Sequence, residues 1–378
     1  MRLVYLLMVS LVLFSCKRKQ VVEQPSPISG NTLTNIKYAR GFSVTYLENG
    51  KLVEVTKPYP NAKSTLRYLL VEKGDAIPSH DPDTRVIMVP ITRMVCTSTS
   101  HIPLLDYLNE TNALIGFPTT DYISSEKMRA RIDAGLVSEL GVDKSMNVER
   151  LAMLKPELVM GYTISGDLGQ FKKMEELNIP VVVNAEYLEE HPLGRAEWIK
   201  FMALFFNKED LADSVFSEIE KSYQQTKDLV AGVTATPTVM SGVVYGDTWF
   251  LPGGKNYAAQ LLKDAGCTYL WEDNPSTGFL ELSFESVYEK AHDADLWVGV
   301  ASFMDLQSIE NADKRYAQFN SFKKGDVFTY DARKGAKGGS EFLELGYLRP
   351  DLILKDLVKI AHPDLLPDHT LYFHRQLK

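Results

Sequence analysis

The sequence predicts an α/β protein of two Rossmann-like lobes joined by a single long α-helix, with an N-terminal β-hairpin addition. Three observations predict it. An unbroken amphipathic stretch fills residues 208–230, strand and helix patterns before it return after it in the same order, and Asn49-Gly50 separates two alternating runs near the start.

The central stretch sets the organisation. Leu211, Ala212, Val215, Phe216, Ile219 and Tyr223 recur at helical spacing, with Glu218, Glu220, Lys221, Gln224 and Lys227 opposite and no Gly or Pro between. At 1.5 Å per residue such a helix reaches roughly 34 Å, about the diameter of a small domain. It reads as a rigid connector between lobes; an ordinary long helix inside one domain is the plainer alternative.

The chain has 378 residues, 45% hydrophobic and 24% charged, which leaves room for two domains with substantial cores. The formal net charge is −8 and there is no basic cluster with interleaved aromatics, which excludes nucleic acid as a partner. Residues 1–15 read as a signal peptide: Arg2 precedes an apolar run over 3–14 that is too short to span a bilayer. The run ends at Leu13-Phe14-Ser15-Cys16, which resembles the lipobox of bacterial lipoproteins and implies cleavage before Cys16 and acylation of its thiol. An uncleaved signal anchor is the alternative. Residues 16–30, with Pro25 and Pro27, are a lipid-anchored tether. Cys96 and Cys267 fall in different halves; a disulfide between them would staple the lobes, and two buried thiols are the simpler expectation.

Residues 31–83 form the β addition: alternating runs at 42–47 and 51–55 across Glu48-Asn49-Gly50, a third strand at 66–71, and a stop at Pro78 and Pro82. The first α/β lobe is expected over 84–190. It opens with the strand Val86, Ile87, Met88 and Val89, and continues with a helix at 102–108, a strand at 114–117, a helix at 147–154 and a strand at 158–162. A helix at 168–177 and a strand at 181–183 close it. Apolar strands alternating with amphipathic helices argue for parallel sheets covered on both faces. Residues 191–231 are the connecting helices. The second lobe, 232–367, repeats the alternation with strands at 238–244, 296–300 and 327–330 and helices at 256–265, 284–291 and 352–361. Residues 368–378 are expected to lie on the surface as a tail.

Two helix starts match each other. Asn147 and Ser283 are natural N-caps, each followed two places later by a glutamate, Glu149 and Glu285, and then by a buried strand. An acid there also suits the helix dipole, by a few tenths of a kcal/mol. Matched acids on two lobes add a further sense: one partner would meet both.

From Thr84 to about Pro367 the chain resembles the substrate-binding proteins of ATP-driven importers for iron-siderophore complexes, haem and cobalamin. The carrying residues are Arg85-Val86-Ile87, Gly116-Phe117 with Asp121-Tyr122, residues 146–159, the connector, Trp249-Phe250-Leu251-Pro252-Gly253-Gly254, and residues 282–296. The resemblance implies two α/β lobes on one rigid helix, a metal-chelate ligand and an ABC permease dimer in the inner membrane. It places the permease-docking glutamates at Glu149 and Glu285. The expected state is a monomer in the periplasm, anchored through Cys16, without a cofactor of its own.

In open α/β sheets ligands sit beyond the carboxyl ends of the strands. The ligand-binding candidates are therefore Arg93 and Met94 (with Thr92), Tyr122 and Tyr162 in the first lobe, and Tyr245, Trp249, Phe250 and Phe303 (with Ser302) in the second. Aromatic walls with few cations suit a large flat or greasy chelate, and Arg93 would pair with a ligand carboxylate. Residues 252–256, Pro-Gly-Gly-Lys-Asn before a helix, are an anion cradle or a simple turn. His101, close to the first cleft loop, is a haem-iron ligand candidate or a hydrogen-bonded surface histidine. The seven histidines show no metal-ligand spacing, and no nucleotide, hydrolase or zinc-protease motif occurs. The expectation is a protein that catalyses nothing. Two alternatives stay open: a chelatase-like enzyme acting on a bound tetrapyrrole, and a surface scavenging lipoprotein without a permease.

Overall fold

A computed structural model of the chain describes residues 35–378. The signal peptide, Cys16 and the tether lie outside the described residues.

The N-terminal unit is larger than a hairpin. Strands β1 (Phe42–Leu47), β2 (Gly50–Val55) and β3 (Leu66–Glu72) are antiparallel, and β4 (Arg85–Val89) joins β3 in parallel. The run expected to open the first lobe, Val86 to Val89, therefore belongs to this sheet. Four apolar residues read alike in any buried strand, and pairing with Leu69, Leu70 and Val71 decided which sheet took them. One face, with Val53, Val55, Tyr68, Leu70, Ile87 and Val89, joins the main core; the other encloses Leu47, Leu69 and Val71.

The first lobe is a doubly wound parallel sheet. Its elements are β5 (Met94–Cys96), α1 (His101–Tyr107), β6 (Leu114–Phe117), α2 (Glu126–Asp133), β7 (Ser138–Glu139), α3 (Val148–Leu154), β8 (Leu158–Gly161), α4 (Gly169–Glu176) and β9 (Val181–Val183). The strand order is β7-β6-β5-β8-β9, so the chain reverses direction across the sheet between β5 and β8. The hydroxyl of Tyr68 accepts from the Val183 amide at 3.0 Å and ties the N-terminal sheet to the edge strand β9.

Helices α5 (Pro192–Ala203) and α6 (Glu209–Leu229) follow. Helix α6 has 21 residues and buries Ala212, Phe216, Ile219 and Tyr223, as its apolar stripe predicts. It is not a free-standing rod. Near its start Lys200 of α5 pairs with Asp213 at 3.1 Å; near its end Tyr223 and Lys227 reach Asp264 at 2.6 and 2.9 Å. The chain entering the fold is clamped to α5 and to the turn before it. The buried carboxylate of Glu197 accepts from the amides of Lys37, Tyr38 and Ala39, and Glu189 from those of Arg40 and Gly41.

The second lobe contains β10 (Thr238–Ser241), β11 (Val243–Tyr245), β12 (Thr248–Pro252), α7 (Tyr257–Asp264), β13 (Thr268–Tyr269), β14 (Phe279–Leu282), α8 (Phe284–Ala291) and β15 (Leu296–Val298). It continues with α9 (Leu306–Ala312), α10 (Asn320–Lys324), β16 (Val327–Thr329), α11 (Glu341–Leu345), α12 (Pro350–Ala361) and β17 (Arg375–Gln376). One sheet runs β13-β10-β15-β16-β17, parallel except for β17; a separate antiparallel sheet runs β11-β12-β14. The sheets of the two lobes remain distinct, and α12 packs along α6.

The C-terminal residues do not lie on the surface as a tail. Phe373, His374 and Leu377 are buried, and β17 extends the sheet. The cause is Asp356 on α12, fully buried, whose carboxylate accepts from the amides of Tyr372, Phe373 and His374 at 2.7–2.9 Å and faces the rings of His369 and His374. Cys96 and Cys267 are both buried and unpaired.

Candidate functional site

The two parallel sheets point the loops after their strands at one another, and residues of opposite lobes meet there. From the first lobe come residues 97–101 after β5, Tyr162 after β8 and Glu186-Tyr187 after β9. From the second come Tyr330 after β16 and Tyr347 between α11 and α12. The Tyr187 hydroxyl donates to the Thr163 carbonyl at 2.7 Å, and its ring stands edge-on to Tyr162 at 6.4 Å. Arg195 of α5 donates to the carbonyls of Tyr187 and Glu189. Its guanidinium lies 3.9 Å from the ring of Tyr257 and 4.6 Å from that of Tyr347, both in the second lobe, a stacked geometry that favours a cation. Burial, with the nearby charges of Asp143 and Glu186, pushes the Tyr162 hydroxyl above its ordinary pKa.

Beneath this floor lies a buried polar group of residues. Ser100 donates to Glu186, whose second oxygen has no hydrogen-bond partner among the described residues; Thr97 Oγ1 and both ring nitrogens of His101 share that state. Burial raises the Glu186 carboxyl and lowers His101 to about 3, so the imidazole is neutral. His101 has no exposed surface, which removes both readings of it, haem ligand and surface histidine.

Each lobe also exposes large apolar side chains. Tyr122 and Ile164 of the first lobe are 62% and 67% exposed, and Tyr245 and Met304 of the second 82% and 78%. Phe250 is half-buried beside Tyr245, the rings 6.5 Å apart, and Phe303 is half-buried next to Met304. Carbonyls of Phe303 and Met304 accept from Arg375, so the C-terminal strand braces this loop.

Three candidates do not reach the cleft. Met94 is fully buried inside β5. Arg93 precedes β5, at the amino end of the sheet, where its Nη2 donates to the Leu154 carbonyl at 2.6 Å and closes the end of α3. Both followed from taking residues 86–89 as the lobe's first strand. Trp249 is also fully buried: its indole N–H donates to the Ser241 carbonyl at 3.0 Å, and its ring stacks on Trp297 with centroids 5.6 Å apart. The glycine turn at 252–256 is filled by the protein itself. A Cβ on Gly253 or Gly254 would fall 2.3–2.5 Å from carbonyl oxygens of residues 271–276, so carbonyls occupy the space an anion would need. The residues missed by sequence reasoning, Glu186, Tyr187, Arg195, Tyr257 and Tyr347, fall after β9 or on elements outside the strand-to-loop rule. Applying that rule to the strand at 181–183 finds the first two.

The matched acids are exposed, and their caps form as expected: Asn147 accepts from the Arg150 amide and Ser283 from that of Ser286. Helices α3 and α8 each run back into a parallel strand, so Glu149 and Glu285 both stand at the carboxyl end of their sheets, flanking the cleft. They differ in surroundings. Glu285 lies 3.3 Å from Arg315, which stacks on Phe284, whereas Glu149 has no ion pair among the described residues and sits one turn from Met153, 82% exposed.

A cavity of about 900 Å³ opens elsewhere, on the seam where α1 and α2 meet residues 332–345; it touches none of the aromatic candidates.

A family profile described as "Periplasmic binding protein" matches residues 94–334, more than half of the chain. An uncharacterized lipoprotein of Methanocaldococcus jannaschii is 27% identical over 376 residues, covering 92% of this chain and 86% of its own. Among solved structures, a periplasmic binding protein from Veillonella parvula superposes with a TM-score of 0.59 at 14% identity, over 83% of this chain and 99% of that one. A periplasmic haem-binding protein from Pseudomonas aeruginosa gives 0.57 at 15% identity, over 76% and 98%. At such identities the two structures are similar in fold.

Proposed function

Because the chain belongs to the periplasmic binding protein family, we propose that it is a receptor that takes a metal chelate (ferric siderophore, haem or cobalamin) between its lobes and hands it to an ABC permease. It catalyses nothing in this reading. The observation that carries it is the aromatic group that both lobes bring around Arg195, Tyr187 of the first with Tyr162 edge-on to it, and Tyr257 and Tyr347 of the second; each lobe also leaves large apolar side chains exposed, Tyr122 and Ile164 on the first and Tyr245 and Met304 on the second. Aromatic groups of this kind between two lobes mark binding surfaces, and a chelate with a broad greasy face matches them better than a small polar solute. Tyr162, Phe250 and Phe303 are further ligand-contacting residues in this reading. The haem-binding relative of the same fold is consistent with that ligand class.

Glu149 and Glu285 are the permease-docking acids in this reading, since both stand exposed at the cleft end of their lobes. Anchoring through Cys16 follows from the lipobox-like Leu13-Phe14-Ser15-Cys16 and agrees with the lipoprotein name of the methanogen relative. The test is optical titration of the purified protein with haem, a ferric siderophore and cobalamin in turn. Saturable binding of one at micromolar or lower concentration is the expected result; no binding of any of the three defeats the chelate assignment.

A further inference from the structure

The two lobes are joined a second time, away from α6, through Glu344 of α11. This side chain belongs to the second lobe and is 2% exposed, yet its carboxylate accepts from the amides of Ser124 and Ser125 in the first lobe at 2.6 and 2.8 Å. Ser125 is the N-cap of α2, so an acid from one lobe closes a helix start of the other. Backbones touch directly around it: a Cβ on Gly339 would fall 2.0 Å from the Tyr122 carbonyl oxygen, and one on Gly335 2.6 Å from Ser124 Cα. Arg349 adds a bond to the Tyr107 hydroxyl at 2.9 Å across the same seam.

The charges facing this seam come from every element around it. Asp106 and Tyr107 stand on α1, and Glu126, Lys127 and Arg129 on α2. Arg333 and Lys334 come from the glycine-rich loop, Glu341 from α11, and Tyr372 and Arg349 from the C-terminal part. Four of the cations are engaged elsewhere: Arg129 pairs with Asp133, Lys334 with Asp331 and Arg349 with Asp351, while Arg333 lies over the Tyr372 ring; Lys127 is exposed. No cation among the described residues forms an ion pair with Glu344. Ionised, it is a buried charge held by two amides alone, an arrangement that costs free energy against water.

We propose that this seam is a proton-sensitive latch: protonated Glu344 holds the 122–125 loop against α11, and its ionisation lets the two lobes part there. The inference stands on the interlobe geometry and is independent of which ligand the cleft takes. Burial raises the carboxyl to about 7; the two amide bonds act in the opposite direction, and Asp106 and Glu341 add to the rise. In a parted seam the group is wet and titrates near its ordinary 4.5. The closed seam therefore binds the proton more tightly. Closure is tightest below pH 4.5, weakens as pH rises toward 7 by up to about tenfold per unit, and is level above that.

The experiment is hydrogen exchange of the Ser124 and Ser125 amides across pH 4.5–8 on the whole protein, corrected for intrinsic exchange. The wild type is expected to lose protection up to about tenfold per pH unit until pH 7 and then level off. Glu344→Gln, which cannot ionise and keeps one acceptor oxygen for the two amides, is expected to show no slope whatever its absolute protection, and Asp106→Asn to keep it. Gly339→Ala, which wedges the seam apart, is expected to lose protection at every pH. A flat wild-type profile overturns the proposal without any substitution, as does a Glu344→Gln protein that keeps the wild-type slope.

Discussion

The hydroxyl of Tyr223, near the end of α6, donates to Asp264 of α7 at 2.6 Å, and Lys227 reaches the same carboxylate at 2.9 Å. One connector helix is thus bonded to the second lobe by a buried phenol and a lysine. Tyr223→Phe removes the phenol's bond and leaves Asp264 with Lys227 and Gln260. The expected loss of unfolding free energy is about 1–2 kcal/mol, read by denaturant titration.

Because α6 is fastened at both ends and α12 lies along it, ligand binding should change the overall shape little. Solution scattering with and without ligand should give radii of gyration within about 1 Å of one another, on the scale of a domain tens of ångströms across. A compaction of several ångströms contradicts the stiff-connector account.

Glu149→Ala with Glu285→Ala should leave chelate affinity unchanged and lower uptake in cells. A collapse of affinity would instead put these acids in the cleft. Because Arg315 shields only Glu285, Arg315→Ala is expected to alter uptake without altering affinity.

Asp356 fastens the C-terminal strand. Burial pushes its carboxyl up, but hydrogen bonds and charge from His374, with the Tyr372 amide and the His369 ring, outweigh this and hold it below its ordinary 3.8. A depressed folded-state pKa gives stability that is present above 3.8 and lost as pH falls through the lowered value. Asp356→Asn should cost about 2–3 kcal/mol near neutral pH. Below pH 3.8 its acid-unfolding profile should lie closer to that of the wild type.

The amphipathic stretch at 208–230 and the capped starts at Asn147 and Ser283 were legible because periodicity and caps are local properties, and α6, α3 and α8 stand where they indicate. The strand at 86–89 was legible as a strand but not as a member of a sheet, since its partner lies across a loop. That single slip assigned to the cleft both Arg93, which stands at the amino end of the sheet, and Met94, which is buried inside β5. Trp249 misled for another reason: an aromatic in a β-hairpin alternates between faces, and one residue of register separates the buried Trp249 from the half-buried Phe250. The seam at Glu344 had no local signal at all, because its partners, Ser124 and Ser125, lie about 220 residues away.

The clamp of Glu197 and Glu189 on residues 37–41 has a mechanical meaning. A pull arriving along the incoming chain would be borne by five amide bonds to two carboxylates, Glu197 on α5 and Glu189 just before it, instead of by a strand of either lobe. Such a load would act on the helical spine and leave both jaws unloaded.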